Sequence, residues 1–164
     1  MSVIIRKGTP ADLPAAHRLI VELAIYEKAE NEVITTPEQM LQDGFGDTPV
    51  FGFYVAERAD SGAIVGMALY YTRYSTWKGR CLYLEDLIVT QSERGKGIGK
   101  LLFDAMVREC LNQNMALMTW QVLDWNTPAI EFYKRLGAHL DGEWMNGKLF
   151  RSQMEQWTFG TVAS

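Results

Sequence analysis

The chain contains one glycine-rich run between two apolar segments: Gln91-Ser92-Glu93-Arg94-Gly95-Lys96-Gly97-Ile98-Gly99-Lys100. The run follows the strand-like residues 83–89 and precedes the helix-like residues 100–107. A turn from a strand into a helix points several backbone N–H groups at one spot. The first amides of the helix have no intrahelical acceptor, and the helix dipole adds partial positive charge there. The run therefore predicts a site for a phosphate group.

The glycine spacing excludes two common phosphate-binding motifs. A P-loop has four residues between its glycines, followed by Lys and then Ser or Thr. Here three residues separate Gly95 from Gly99, and Leu101 follows Lys100. A dinucleotide-binding fingerprint needs a third glycine three positions after its second, where this chain has Lys100 or Leu102. The alternative interpretation is an ordinary tight turn in which the glycines supply positive φ.

Length and composition predict one domain that spans residues 1–164, since 48% of the residues are hydrophobic and no linker or repeat interrupts the chain. No apolar run approaches the ~20 residues of a membrane span, and residues 1–6 do not resemble a signal peptide. We therefore expect a cytoplasmic protein with no membrane partner. The net charge of −4 and the lack of a basic patch argue against nucleic acid and favour a cationic small substrate.

The cysteines and histidines predict neither a disulfide framework nor a metal site. Cys81 and Cys110 are too few and too far apart in sequence, and we expect two buried thiols. His17 and His139 have no acidic or thiolate helpers at a ligand spacing. We therefore expect no metal cofactor.

Hydrophobic periodicity and turn signals predict an α/β (α+β) fold with a mixed, mostly antiparallel sheet flanked by helices. Thr9-Pro10 and Thr36-Pro37 each open a helix. The predicted helices cover residues 10–26, 37–44, 98–107 and 128–136. The predicted strands cover residues 3–6, 51–57, 63–74, 80–89, 115–122, 143–151 and 154–159. The second to fourth of them are predicted to form an antiparallel meander.

A second chemical segment, Trp125-Asn126-Thr127-Pro128-Ala129-Ile130-Glu131-Phe132-Tyr133, opens the helix near residue 128. Asn126 and Tyr133 are about two helical turns apart, so both can face the same cleft. Taken alone, Asn126 is equally well explained as a helix cap and Tyr133 as a core aromatic. The glycine run some thirty residues upstream favours a shared site.

These two segments resemble the acyl-CoA-binding motifs of the GNAT superfamily of N-acetyltransferases. Arg94-x-x-Gly97-x-Gly99 is similar to its pyrophosphate loop, and Asn126-x-x-Ala129-x-x-x-Tyr133 to its second cofactor segment. The resemblance implies a fold in which the strands on either side of the loop and its helix splay apart and hold acetyl-CoA. The cofactor residues that it implies are Leu87, Ile88, Val89, Arg94, Gly95, Lys96, Gly97, Ile98, Gly99, Lys100, Asn126, Pro128, Ala129 and Tyr133.

Within that superfamily the chain resembles the spermidine/spermine (diamine) and thialysine acetyltransferases over nearly its whole length. The matching segments include Leu23-Ala24-x-Tyr26-Glu27, Asp43-Gly44-Phe45-Gly46, Trp77-x-Gly79 and Leu82-Tyr83-Leu84-Glu85-Asp86. The resemblance implies a homodimer that moves an acetyl group from acetyl-CoA to a polyamine, a diamine, or a lysine- or thialysine-like amine by direct attack. It places Tyr26, Glu27, Trp77, Glu85 and Asp86 in the substrate site.

The reaction requires a proton acceptor, because a free amine of this kind has a pKa of ~10.4 and must lose a proton before it attacks. Glu85 is our candidate for this base, acting directly or through a water. Strand alternation places Glu85 and Asp86 on opposite faces unless a bulge distorts the strand. By resemblance, Tyr133 is the acid that protonates the leaving thiolate.

One departure weakens the polyamine assignment, since Met145 stands where those enzymes have an acid that contacts the substrate. Two other functions stay open. The first is acetylation of a protein or peptide, which would need a wide groove. The bulky Tyr70, Tyr71 and Trp77 argue against it, because they favour a closed pocket. The second is a non-catalytic, acyl-CoA-binding regulatory domain, against which the presence of Tyr133 and Glu85 argues.

Overall fold

The computed structural model describes residues 2–160. The chain forms two compact units, one that ends at Gln121 and one that begins at Val122. The first unit contains a five-stranded sheet and three α-helices, and the second contains two short helices. Within residues 2–160, no helix combines the length and the apolar character that crossing a membrane requires.

The sheet is mixed and mostly antiparallel, as predicted. Its strands are β1 (Val3–Lys7), β2 (Gly52–Arg58), β3 (Ile64–Ser75), β4 (Gly79–Val89) and β5 (Leu117–Trp120), and they lie in this order. The pairs β1–β2, β2–β3 and β3–β4 are antiparallel. Among the five strands described, β4 and β5 alone run parallel, because the helix between them carries the chain back to the end of the sheet at which β4 began.

The three helices of the first unit begin near the predicted positions. They are α1 (Leu13–Tyr26), which one turn of 3-10 helix precedes, α2 (Pro37–Phe45) and α3 (Ile98–Asn112). Thr36 caps α2, because its Oγ1 accepts a hydrogen bond from the backbone N of Gln39 at 3.1 Å. The sequence signals for helix starts are therefore confirmed at both Thr-Pro pairs.

The helices cover both faces of the sheet and define two core clusters. The α1 face buries residues of α1, α2 and the strands, among them Leu13, Leu19, Met67, Leu69 and Ile88. The α3 face buries a second set, among them Ala68, Leu82, Leu84, Leu102 and Met106. Each residue of β4 can therefore be assigned to a face by the cluster that it joins.

The second unit contains α4 (Thr127–Arg135) and α5 (Arg151–Glu155). The predicted final strands at 143–151 and 154–159 are wrong, because residues 141–150 adopt no regular structure and α5 follows them. All residues from 141 to 160 are exposed, and a hairpin that buries neither face is marginal in water. The amide of Phe150 instead donates to Gln153 Oε1 at 2.9 Å, which caps α5.

A partly buried ion pair connects β1 to the start of α1. Arg6 donates two hydrogen bonds to Asp12, at 2.7 Å to Oδ2 and 3.0 Å to Oδ1, and Thr9 donates both its amide and its hydroxyl to Asp12. Asp12 is only 7% exposed. The Arg6 hydrogen bonds lower the pKa of Asp12 from 3.8 to about 2.

We expect Asp12→Asn to lower the free energy of unfolding by about 2 kcal/mol at pH 7, because it removes the charge that Arg6 binds. Since the folded pKa lies below the unfolded value, this contribution is complete above about pH 4 and disappears as the pH falls towards 2. Urea unfolding across this pH range measures it. Asp60→Asn is the matched control, because the Asp60–Arg58 pair is exposed, and an equal loss from both variants would contradict the prediction.

Candidate functional site

The glycine run forms a tight turn into α3. Gly95 and Gly97 have φ values of 76° and 82°, a region that residues with a Cβ seldom adopt. Gly97 is the N-cap of α3, and the first hydrogen bond of that helix runs from the amide of Leu101 to the Gly97 carbonyl at 3.2 Å. The amides of Ile98, Gly99 and Lys100 therefore have no acceptor within the helix. This geometry suits an anion.

The basic side chains of the loop contact partners within the first unit. Lys96 pairs with Glu93 at 2.8 Å, and Lys100 pairs with Asp104 at 2.7 Å. Glu93 is buried and also pairs with Arg58 at 3.1 Å, and these two cations lower its pKa. The side-chain charge of this part of the loop is therefore balanced locally, so the backbone amides and the helix dipole supply most of its attraction for an anion.

Arg94 also contacts two groups of the first unit. Its Nε donates to the carbonyl of Val89 at 2.9 Å, and its guanidinium lies over the ring of Tyr26 at 5.2 Å. Tyr26, which the sequence places in the substrate site, therefore contacts a residue that the sequence places in the cofactor site. The end of α1 and the glycine loop are therefore in direct contact through these two side chains.

Strand β4 contains a bulge at Glu85. Tyr70 pairs with Leu84 and Leu69 pairs with Asp86, so Glu85 has no opposite residue on β3. Before the bulge, Leu84 packs in the α3 cluster; after it, Ile88 packs in the α1 cluster.

The bulge changes the face that each later residue of β4 meets. Leu87 and Val89 pack against the α3 cluster, so by alternation Asp86 shares the α1 face with Ile88. Glu85 accepts a hydrogen bond from Tyr71 Oη at 2.9 Å, and the ring of Tyr71 stacks on Tyr83. The bulge is the condition under which the sequence allowed Glu85 and Asp86 to share a face, and it places both on the α1 face.

Glu27, Glu85 and Asp86 form an acidic cluster on the α1 face. Burial, followed by the charges of Glu85 and Glu27, raises the pKa of Asp86 from 3.8 to about 7. Burial also raises the pKa of Glu27. Glu85 itself is exposed. Carboxylates in this arrangement can bind a cation and accept a proton near neutral pH. Among the described residues, no group of three or more His, Cys, Asp or Glu side chains is placed to hold a metal ion.

Strands β4 and β5 separate beside this cluster. They pair only from Cys81 with Leu117 to Leu84 with Trp120, whereas β4 continues to Val89. From Glu85 to Val89, the edge of β4 that faced β5 has no β5 partner. The backbone N–H and C=O groups along this edge are therefore available to other acceptors and donors. This is the gap that the sequence resemblance implies, and it lies between the acidic cluster and the glycine loop.

Two aromatic residues of the predicted pocket lie elsewhere. Tyr70 packs on the α3 face, where its ring is 6.2 Å from that of Tyr54, so only Tyr71 lies beside Glu85. Trp77 lies in the β3–β4 turn with 86% of its surface exposed. Glu85 lies six positions after Gly79 along β4, a distance of about 20 Å, so β4 does not bring Trp77 to the acidic cluster.

The remaining predicted site residues lie in the second unit, on or next to α4. Asn126 is the N-cap, and its Oδ1 accepts from the amide of Ala129 at 3.4 Å. Pro128 occupies the first turn. Tyr133 is buried and packs edge to face on Phe132, with ring centroids 5.3 Å apart.

Sequence reasoning missed the contacts that Glu22 and Glu93 make with the loop region. Glu22 accepts hydrogen bonds from Thr90 Oγ1 at 2.9 Å and from the amide of Gln91 at 2.8 Å. One signal was available, since Glu22 lies one helical turn before Tyr26, on the same side of α1.

Comparison with known proteins identifies the family of this chain. Residues 18–138 match the model of the acetyltransferase (GNAT) family. A bovine thialysine N-epsilon-acetyltransferase is 41% identical over 83% of this chain and 84% of its own length. The human spermidine/spermine N(1)-acetyltransferase-like protein 1 is 38% identical over 82% of this chain, which is 20% of that protein.

Solved structures share the fold at lower identity. An integron cassette protein of V. cholerae superposes with a TM-score of 0.75 at 23% identity, over 95% of this chain and 97% of that one. The aminoglycoside N-acetyltransferase AAC(6')-Iy, solved in complex with CoA, has a TM-score of 0.72 at 19% identity, over 90% and 95%. The family model matches both the glycine loop and the Asn126–Tyr133 segment, so this chain belongs to the GNAT family of acetyltransferases and has its fold.

Proposed function

We propose that this protein is an acetyl-CoA-dependent N-acetyltransferase whose acceptor is a small cationic amine. The observation that carries the proposal is the acidic cluster on the bulge of β4, because the same strand leads directly into the glycine loop. The loop amides would hold the pyrophosphate of acetyl-CoA. The cluster would hold the cationic amine beside the gap between β4 and β5.

The proposed reaction is a direct attack that conserves atoms and charge. Glu85 or Asp86 accepts a proton from the ammonium group, directly or through a water. The neutral nitrogen then forms a bond to the thioester carbon, and backbone N–H groups of β4 beyond Leu84 stabilise the oxyanion. The carbon–sulfur bond breaks, and we propose that Tyr133 gives its hydroxyl proton to the thiolate. The attacking nitrogen loses its second proton, which restores the Tyr133 hydroxyl through solvent, and the carboxylate releases the first proton to solvent. The products are an N-acetylated amine and CoA.

We propose a lysine- or thialysine-like amine as the preferred acceptor, ahead of a polyamine. The relatives named as thialysine acetyltransferases include one that is 41% identical over most of both chains. Met145, which is 97% exposed, stands where the polyamine enzymes have an acid. A substrate with one amine to acetylate and a second charged end matches the three carboxylates without that additional acid.

We further propose that residues 1–164 act as a single catalytic domain in a cytoplasmic homodimer. Exposed aromatic side chains support the dimer, since Trp77, Trp144 and Trp157 are 86%, 80% and 54% exposed. The two free, buried cysteines agree with a reducing compartment. A monomeric mass in sedimentation at micromolar concentration would contradict the dimer.

The substrate class is tested by an amine panel in which release of free CoA is measured. We expect thialysine and lysine to have a higher kcat/KM than spermidine or spermine, because each carries two cationic amines, whereas spermidine carries three and spermine four. Met145→Glu should raise kcat/KM for the polyamines, with Met145→Gln as its uncharged control. If only peptides react, the small-amine proposal is wrong; if CoA binds and no amine reacts, the domain is a binding module.

We expect Tyr133→Phe to lower kcat about 100-fold while the Kd for acetyl-CoA changes less than threefold. The variant removes one hydroxyl, which is the proposed proton donor, and keeps the buried ring. Steady-state kinetics and calorimetry measure the two quantities. Phe132→Leu, next to Tyr133, is a control for packing. An unchanged kcat in Tyr133→Phe would remove Tyr133 from the mechanism.

The raised pKa of Asp86 predicts opposite effects of Asp86→Asn on activity and on stability. In the wild type, kcat/KM should rise with pH through about 7 as Asp86 loses its proton, and the variant should lack this limb. The folded pKa exceeds the unfolded 3.8, so the stability contribution of Asp86 falls as the pH rises from about 4 to 7. Asp86→Asn should therefore unfold at a higher temperature than the wild type at pH 8.

Asp104→Asn is the control for this comparison, since Asp104 pairs with Lys100 at the surface of α3. We expect it to keep the pH profile of the wild type. An Asp86→Asn variant with an unchanged pH profile and a lower unfolding temperature would show that Asp86 is an ordinary structural carboxylate.

A further inference from the structure

Glu22 in α1 binds the segment that connects β4 to the glycine loop. Both of its carboxylate oxygens are used: Oε2 accepts from the hydroxyl of Thr90 at 2.9 Å, and Oε1 accepts from the amide of Gln91 at 2.8 Å. These partners are nearly seventy residues away in sequence. Thr90 and Gln91 are the first two residues after β4, so Glu22 contacts the chain at the point where strand becomes loop.

The contacts of Glu22 fix the direction in which the loop leaves the sheet. The amide of Thr90 donates to the carbonyl of Val65 at 2.9 Å, so the backbone of Thr90 is tied to β3 while its side chain is tied to α1. Past Gln91, one turn of 3-10 helix follows, with the amide of Glu93 donating to the carbonyl of Thr90 at 2.9 Å. The position of that turn therefore depends on Thr90 and Gln91.

A second contact between α1 and the loop lies one helical turn further along. Tyr26 is four residues after Glu22, and its ring lies under the guanidinium of Arg94 at 5.2 Å. Glu22 and Tyr26 thus contact the loop segment at both ends of the 3-10 turn. The side chain of Arg94 also donates to the carbonyl of Val89, and this hydrogen bond holds the end of the turn against β4.

We propose that Glu22 is a positioning residue that sets the glycine loop in its anion-binding conformation. This inference rests on the proposed function, and it extends that function to a residue that does not itself touch the anion. A helix N-terminus binds phosphate well only when its amides are already aligned, because ordering a loop on binding reduces affinity. Two hydrogen bonds to the side chain of Glu22 supply that alignment, because they hold both the side chain of Thr90 and the backbone of Gln91 against α1.

Calorimetry with CoA tests the proposal, with Glu22→Ala and Glu22→Gln as a matched pair. We expect Glu22→Ala to raise the Kd for CoA about tenfold, which is the usual weight of one charge-assisted hydrogen bond. Glu22→Gln should recover most of the affinity, because its amide oxygen can accept from Gln91 and its NH2 can donate to the hydroxyl of Thr90. The KM for acetyl-CoA should rise in parallel, while the kcat and the KM for the amine stay within about twofold.

A readout without a ligand separates positioning from general stability. Hydrogen exchange of the Gln91 amide should be faster in Glu22→Ala than in the wild type, while the amides of β3 keep their protection. Thr90→Val removes one of the two contacts and should give an intermediate Kd. In the double variant Glu22→Ala/Thr90→Val, the two effects should not add, because they remove the same interaction. Glu38→Ala, on the exposed side of α2, is the control and should keep the wild-type Kd.

The outcomes separate this inference from the function on which it rests. If wild-type protein does not bind CoA, both fail. If the wild type binds CoA and Glu22→Ala binds it equally well, only the positioning role of Glu22 is overturned. The same conclusion follows if Glu22→Ala loses stability with an unchanged Kd, or if Glu22→Gln does not recover affinity. Where Glu22→Ala does not fold, Thr90→Val with an unchanged Kd overturns the proposal.

Discussion

Between Leu84 and Asp86, strand β4 carries one more residue than its partner β3, and this single insertion reverses the face that each later side chain meets. Without it, Glu85 and Asp86 would point to opposite faces of the sheet, and Asp86 would pack into the α3 cluster. With it, both carboxylates lie on the α1 face with Glu27, while Leu87 and Val89 take the apolar positions. The same strand then supplies the entry to the glycine loop.

Three carboxylates close together on one face destabilise the fold, and the raised pKa of Asp86 is the consequence. Burial and two like charges favour the protonated form of Asp86 near neutral pH. The folded chain then holds a proton that the unfolded chain would release. On the proposed function, a cationic amine in the cluster would relieve the repulsion and ionise Asp86, so that binding the substrate and preparing a proton acceptor would be the same event. The contrasting Arg6–Asp12 pair, where the carboxylate has its cation within the fold, only adds stability.

The sequence predicted those parts of the fold that depend on local chemistry. The Thr-Pro helix starts, the glycine run and the Asn126 cap are short patterns, and each is found where it was expected. The bulge was predicted only as a condition under which Glu85 and Asp86 could share a face. A register shift depends on the pairing of two strands and not on the residues of one. The faces of Tyr70 and Tyr71 depend on the same pairing, so Tyr70 was wrongly placed in the pocket. The final strands failed because an alternating pattern forms a strand only when some surface covers it, and residues 141–160 are all exposed.

Helix α1 explains why the two halves of the site in the first unit share one scaffold. Glu22 and Tyr26, one turn apart, contact the segment that leads into the glycine loop, and Glu27 contributes its charge to the cluster around Asp86. The basic side chains of the loop are engaged by Glu93, Asp104 and Tyr26, so an anion meets mainly amides whose direction is set by the backbone. Backbone amides bind well only when the backbone is held still. A helix that packs on the sheet and contacts both sites holds the loop still and also sets the distance between the loop and the carboxylates. On the proposed function, the affinity for the acyl donor and the approach of the amine would therefore both depend on the contacts of α1, which a loop held only by its own turn would not link.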